Sequence, residues 1–201
     1  MNWLRTITER IQNHYSDKRA REAAAAKWMV GYHAFERGNA HFLANRLQEA
    51  LVCFDEAISC GVDDAAIYGN RGSCLQSLGY NLDAIDDFNK AIAPETNDCN
   101  LYYMRSISRS AIKDYDGCIS DLQEAIRLSR VDSALNKSYA DYAKEMGWQN
   151  MAAKFEFDLC SAKDDAEFYK RNCERQKQYP ELFPEIKPPE NLKRRMPNRN
   201  L

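Results

Sequence analysis

The sequence predicts an all-α fold, a solenoid of antiparallel helix pairs. Three observations predict it. First, ALVCFDEAI, AIDDFNKAI and CISDLQEAI begin at Ala50, Ala84 and Cys118, so one short amphipathic helix is written three times at a 34-residue period. A fixed period of this order marks stacked supersecondary units. Second, superposing the copies aligns residues of matched size: Gly38, Gly72 and Ser106; Ala50, Ala84 and Cys118; Phe54, Phe88 and Leu122; Ala57, Ala91 and Ala125; Ile58, Ile92 and Ile126. Small residues let two helix axes approach and large ones fill the space beside them. Third, each copy follows another helical stretch, such as AAIYGNRGSCLQSL, and a two-residue turn: Asn45-Arg46, Gly79-Tyr80 or Lys113-Asp114. Gly and Asn suit the left-handed conformation that ends a helix; Lys suits it less well.

The pattern resembles the tetratricopeptide repeat family. That family's helix–turn–helix opens W-x2-L-G-x2-Y and continues A-x3-F, then A, then P. The middle unit matches best, with Tyr68, Arg71, Gly72, Leu75, Ala84, Phe88 and Ala91. The first gives Ala34, Gly38, His41, Ala50, Phe54 and Ala57; the third gives Tyr102, Ser106, Arg109, Cys118, Leu122 and Ala125. The closing Pro is missing from all three units, although Pro94 stands near its place, and Arg109 replaces a packing residue. The expected organisation is an N-terminal amphipathic or capping helix over 1–30 and an array over 31–160. Its units are 31–64, 65–98, 99–132 and a degenerate 133–160, where Gly147 and Ala152 keep register but Glu156 replaces the aromatic. A C-terminal capping helix over 161–179 and a Pro-rich basic tail over 180–201 follow.

Solenoid ends need caps. Trp3, Leu4, Ile7 and Ile11 share one helical face that suits the first unit, a partner or a membrane surface. At the other end Phe168 and Tyr169 are expected to turn inward. The tail holds five of the six prolines, which exclude regular helix. It is expected to be flexible, or anchored through Leu182, Phe183 and Ile186, and Lys193-Arg194-Arg195 is its basic cluster.

The chain carries a net charge of −2, unevenly spread: −6 over 31–130 and +4 over 171–201. An acidic middle argues against nucleic acid as a ligand and allows the tail to touch the body. The seven cysteines form no C-x-x-C pair and are expected to be reduced, mostly buried thiols, in a cytoplasmic setting. No transmembrane segment or secretory signal is expected.

Catalytic motifs are not apparent. His14, His33 and His41 have no Cys or carboxylate at ligand spacing, and there is no P-loop, G-x-G-x-x-G or G-x-S-x-G. Neither a metal nor a cofactor is expected, and the chain is read as no enzyme. His41 falls at a packing position. The pairs Asp63-Asp64, Asp86-Asp87 and Asp164-Asp165 are read as helix starts or solvated faces.

In the family the first helix of each pair lines the concave surface. The resemblance therefore implies a peptide-binding lining of Tyr32, Phe35, Asn39 and Phe42, then Asn70 and Ser73, then Asn100, Tyr103, Met104 and Ile107. An Asn amide both donates to and accepts from a peptide backbone. Asn39 and Asn70 match places where chaperone-binding members hold ligand. Those members add cations for the terminal carboxylate, whereas Phe35, Asn100 and Met104 stand here, with Arg71 and Arg105 one place along as auxiliary cations. Without the basic clamp the charge-assisted bonds are lost, so a co-chaperone role is disfavoured. The implied function is a non-catalytic adaptor or scaffold that binds a protein or peptide partner. The competing readings are a structural or self-associating subunit using its terminal helices, and a tail that docks on the acidic body until a partner displaces it.

Overall fold

The computed structural model describes residues 2–93, 96–131, 144–147, 150–182 and 193–195, with the backbone alone over 2–15. Every regular element among the described residues is a helix. They are α1 (Asn2–Leu43), α2 (Leu47–Ser59), α3 (Ala65–Ser77), α4 (Asn81–Ala91), α5 (Cys99–Ala111), α6 (Tyr115–Ser129) and α7 (Met151–Gln178). The chain divides after Asp63 into two compact units.

In the first unit α1 and α2 pack as an antiparallel pair. Ala34, Ala50, Leu51, Phe54 and Ala57 are fully buried. A Cβ at Gly38 would come within 2.6 Å of the Phe54 ring, so only hydrogen fits at this crossing. The capping segment expected over 1–30 is continuous with the first helix of the array. Nothing between Asn2 and Leu43 breaks a helix, since the stretch holds no proline, and α1 runs through 42 residues. Residues 16–30 are exposed throughout. Trp3, Leu4, Ile7 and Ile11 have side chains outside the described residues.

In the second unit α3 packs on α4, α4 on α5, α5 on α6 and α6 on α7. The aligned small and large residues form the core: Ala84, Phe88, Ala91 and Ala125 are fully buried, with Cys118 and Leu122 nearly so. A Cβ at Gly72 would lie 3.0 Å from the Phe88 ring. In the third repeat Ser106 takes the glycine's place and Leu122 the phenylalanine's. The smaller partner leaves room for the serine, which is itself buried and bonds the Tyr103 carbonyl.

The turns share one geometry. Asn45 (φ 56°), Gly79 (82°), Lys113 (63°) and Gly147 (82°) are all left-handed. The Gly79 N–H donates to the Gln76 carbonyl and the Tyr80 N–H to the Leu75 carbonyl, at 2.9 and 2.8 Å. The same two bonds recur at Asn45-Arg46 and Lys113-Asp114. This paired closure satisfies the carbonyls that a helix end leaves open. At the opposite ends, Asp64 and Asp98 cap α3 and α5 by accepting from the N–H of Ala66 and Asn100.

The segments expected over 133–160 and 161–179 likewise meet within one helix, since α7 continues through residue 160 to Gln178. Phe155, one residue before Glu156, supplies the aromatic: it is fully buried and its ring lies 4.7 Å from Tyr103. The inward turn expected of Phe168 is incorrect; its side chain is 63% exposed. Tyr169 packs as expected, 5.7 Å from Tyr115 with the Lys113 ammonium over its ring. Phe183, Ile186 and Pro94 lie outside the described residues.

Candidate peptide-binding site

The ten lining candidates fall in both units. Tyr32, Phe35, Asn39 and Phe42 belong to α1 in the first. Tyr32 stacks on Trp28 at 5.5 Å and meets Phe35 edge-on at 6.4 Å, and Phe35 in turn touches Phe54 at 6.1 Å. These rings form a graded cluster, from exposed Tyr32 through half-buried Phe35 to buried Phe54. Asn39 and Phe42 are half-buried beside it. His41 is half-buried too, and its Nδ1 accepts from Arg46 Nε at 2.9 Å.

The other six divide between two cavities of the second unit. One, of about 400 Å³, brings together Asn70, Ser73, Asn100 and Met104. Asp64, Gly69, Asp98 and Leu101 complete much of its wall. Gly69 and Leu101 set its floor: the missing Cβ lets Leu101 approach to 3.1 Å of where it would be. Gln76 fixes the distance between the helices. Its amide donates to the Met104 carbonyl at 2.6 Å and to Ser108 Oγ at 2.7 Å. Ser73 Oγ donates to the Gly69 carbonyl one turn back, at 2.9 Å. The cavity thus presents two amide side chains and a thioether under two carboxylates.

Tyr103 and Ile107 line a different cavity, also of about 400 Å³, bounded by α5, α6 and α7. The Tyr103 hydroxyl accepts from Lys154 Nζ at 2.6 Å, and Lys154 also bonds Asp158 at 2.7 Å. Burial raises the Tyr103 pKa above its usual value, against the opposing pull of Lys154. Burial alone lowers the Lys154 pKa, but the bonds to Asp158 and Tyr103 outweigh it and hold the ammonium charged.

Arg71 and Arg105 do not offer free guanidinium forks. Arg71 Nε and Nη2 bind the two oxygens of Asp87, each at 2.7 Å. Arg105 binds Asp121 in the same way, at 2.9 and 2.6 Å. The aspartates are 3% and 2% exposed. Asp87 is therefore not on a solvated face; Arg71 draws it inward, and only Asp86 of that pair is exposed. Arg109 adds a second cation to Asp121 at 3.0 Å, which explains an arginine at a packing position. Each guanidinium also lies over a tyrosine one turn earlier, Tyr68 at 5.8 Å and Tyr102 at 5.4 Å.

Sequence reasoning missed Asp64, Asp98, Leu101 and Gln76. The two aspartates were signalled by the period, since they stand one repeat apart. None of the seven cysteines is in a disulfide, and Cys53, Cys74, Cys99 and Cys118 are buried. Burial pushes the thiols of Cys74 and Cys99 up to about 12 and that of Cys118 to about 11. Among the described residues, no group of three or more His, Cys, Asp or Glu is placed to hold a metal ion. No helix there is long and apolar enough to cross a membrane.

No family model matches the sequence. Among curated proteins, 117 residues are 27% identical to protein unc-45 homolog B of Danio rerio, 56% of this chain and 12% of that one. A stretch of 138 residues is 25% identical to the E3 ubiquitin-protein ligase CHIP of Arabidopsis thaliana, 66% of this chain and 50% of the relative. For Hsp70-Hsp90 organizing protein 3 of the same plant the identity is 27% over 92 residues, with 46% and 16% covered. The chain spans half or less of the length of these relatives. Among solved structures, PcrH in complex with the chaperone binding region of PopD superposes with a TM-score of 0.55 at 18% identity, over 67% of this chain and 91% of that one. The TPR2B domain of yeast Sti1, in a pHsp70 complex, gives 0.52 at 22%, over 68% and 98%. These likenesses establish the fold. By its period and by the helix pairs that the period builds, the chain has the all-α superhelical fold of tetratricopeptide-repeat domains.

Proposed function

We propose that the chain is a non-catalytic adaptor of the cytoplasm that holds an extended partner segment, with the α3–α5 cavity of the second unit as the main contact. The observation that carries this reading is the gathering of Asn70, Ser73, Asn100 and Met104 around one hollow of about 400 Å³. Asparagine amides pair with a peptide backbone in either direction, and Met104 and Leu101 suit an apolar anchor. The aromatic cluster of Tyr32, Phe35 and Phe42 is assigned a separate contact on the first unit, and Tyr103 and Ile107 another on the second.

The same geometry argues against a terminal carboxylate as the ligand's main handle. The hollow carries Asp64 and Asp98, and Arg71 and Arg105 are committed to buried carboxylates. An internal segment, neutral or basic, fits this electrostatics. The relatives named for Hsp70 and Hsp90 share the fold, and a chaperone tail is not the partner proposed.

Affinity capture from a cell extract, followed by calorimetry with the captured partner's segment, tests the reading. Asn70→Ala and Asn100→Ala each weaken binding about three- to tenfold, the worth of one or two amide hydrogen bonds. Unchanged affinity in both variants sinks it.

A second reading, self-association or assembly through the terminal helices, has one observation in its favour. Trp28, Met29 and Val30 of α1 and Phe157 and Phe168 of α7 are large, apolar and exposed. Sedimentation across a hundredfold concentration range decides it: a strict monomer removes self-association.

A further inference from the structure

Asp83 and Asp86 share a face near the start of α4, one turn apart. They do not line the α3–α5 cavity. Arg194 of the C-terminal segment reaches this face: its Nη1 lies 3.0 Å from Asp83 Oδ1 and 2.6 Å from Asp86 Oδ2. The backbone N–H of Arg195 donates to Asp83 Oδ2 at 2.5 Å. The segment is thus held by its main chain as well as by a side chain. The two carboxylates, Asp86 first, raise the Arg194 pKa.

Packing does not explain the carboxylates. The repeat needs Ala84, Phe88 and Ala91 for its core and Asp87 for its buried ion pair. Asp83 and Asp86 belong to neither set. The repeat positions that match them hold Glu49 and Val52 in α2, and Gly117 and Ser120 in α6. Only α4 of the three carries both carboxylates, and that is the helix the arginine segment meets. The bulk charge runs the same way, with −6 over 31–130 and +4 over 171–201.

We propose that this face of α4 is a docking site for arginine-bearing segments, filled in cis by Lys193–Arg195 and exchangeable for a basic segment of a partner protein. Exposed ion pairs are individually weak and screened by salt, which suits an exchangeable latch. Tethering compensates, because a segment on the same chain acts at an effective concentration on the order of millimolar. An outside segment therefore meets an occupied site unless the tether's arginine is removed.

The test uses the full chain and a fluorescent peptide of residues 191–197, NLKRRMP, followed by anisotropy at low salt. Arg194→Ala empties the site in cis, and this variant is expected to bind the peptide at least about tenfold more tightly than the unmodified chain. Adding Asp83→Asn and Asp86→Asn to it is expected to abolish binding, with helical circular dichroism unchanged because both positions lie outside the core. Raising salt to about 0.5 M is expected to weaken binding strongly. Equal binding by the unmodified chain and Arg194→Ala overturns the latch. Binding that survives the double Asp replacement, or no peptide binding by any variant, overturns the site.

Discussion

Asp87 holds both arms of the Arg71 guanidinium at 2.7 Å, and one period later Asp121 holds Arg105 in the same bidentate fork. The arginine comes from the first helix of a pair and the aspartate from the second, sixteen residues on. Two successive repeats thus share a buried ion pair tying their helices together. The first repeat departs: Cys53 stands at the aspartate's place, and Arg37 turns to Glu56 at 2.7 Å.

Removing one partner of such a pair strands a buried charge. Asp87→Ala is expected to lower unfolding stability by about 3–5 kcal/mol. Replacing both partners, as Arg71→Met with Asp87→Leu, is expected to cost much less, because no charge is left alone. Equilibrium urea denaturation measures both. A cost below about 1 kcal/mol for Asp87→Ala would show that the pair is not sequestered from water.

Gly79 isolates the contribution of backbone conformation. Its φ is 82° and a Cβ would meet nothing within 4 Å. Gly79→Ala is therefore expected to cost about 1–2 kcal/mol through the left-handed conformation alone. Gly79→Asn, the residue used at position 45, is expected to recover part of that. Thermal unfolding distinguishes the three proteins, and equal midpoints for the two variants would count against the conformational account.

Gly72 tests crowding instead. Its added Cβ would lie 3.0 Å from the Phe88 ring, so Gly72→Ala is expected to cost about 1–3 kcal/mol by overpacking. Phe88→Leu, copying Leu122 opposite Ser106, is expected to relieve that crowding. The double variant then loses less than the two single losses added together. A double-mutant cycle reads this coupling, and simple additivity would refute it.

Alkaline pH acts through the buried thiols. Cys74 and Cys99 titrate at about 12 in the fold and Cys118 at about 11, all raised by burial from 9.0. A raised folded pKa means that the folded state keeps its proton longer than the unfolded one. The associated stability is fully present below about pH 9 and is lost as pH rises toward 11–12. Unfolding midpoints measured across pH 8 to 11 are expected to fall, and Cys74→Ala with Cys99→Ala to fall less steeply. Parallel curves for the two proteins would exclude this role.

The fold was legible because its core residues repeat: Ala84, Phe88 and Ala91 each have counterparts one period away in both directions. The left-handed turns were legible at Asn45 and Gly79 from residue type, and at Lys113 from position alone. The burial of Asp87 was not. Beside Phe88 in mid-helix it looks like a surface charge, and its partner Arg71 lies on another helix. The sign available was the second copy, Arg105 with Asp121. The continuity of α1 past residue 30 and of α7 past residue 160 was not legible, because a change of role along a helix leaves no break in it. No proline stands there to break α1 or α7, and Gly31 is carried inside α1. The candidate site was half legible. Asn70, Ser73, Asn100 and Met104 share a hollow, but Tyr103 and Ile107 sit on another side of α5, and which side a residue takes depends on the neighbouring helices.

The left-handed residues at 45, 79, 113 and 147 make each turn a standard joint. A joint that repeats with the period lets a whole helix pair be spliced in or out without redesigning its neighbours. The length of such an array is then a matter of copy number, adjusted by duplication rather than by invention.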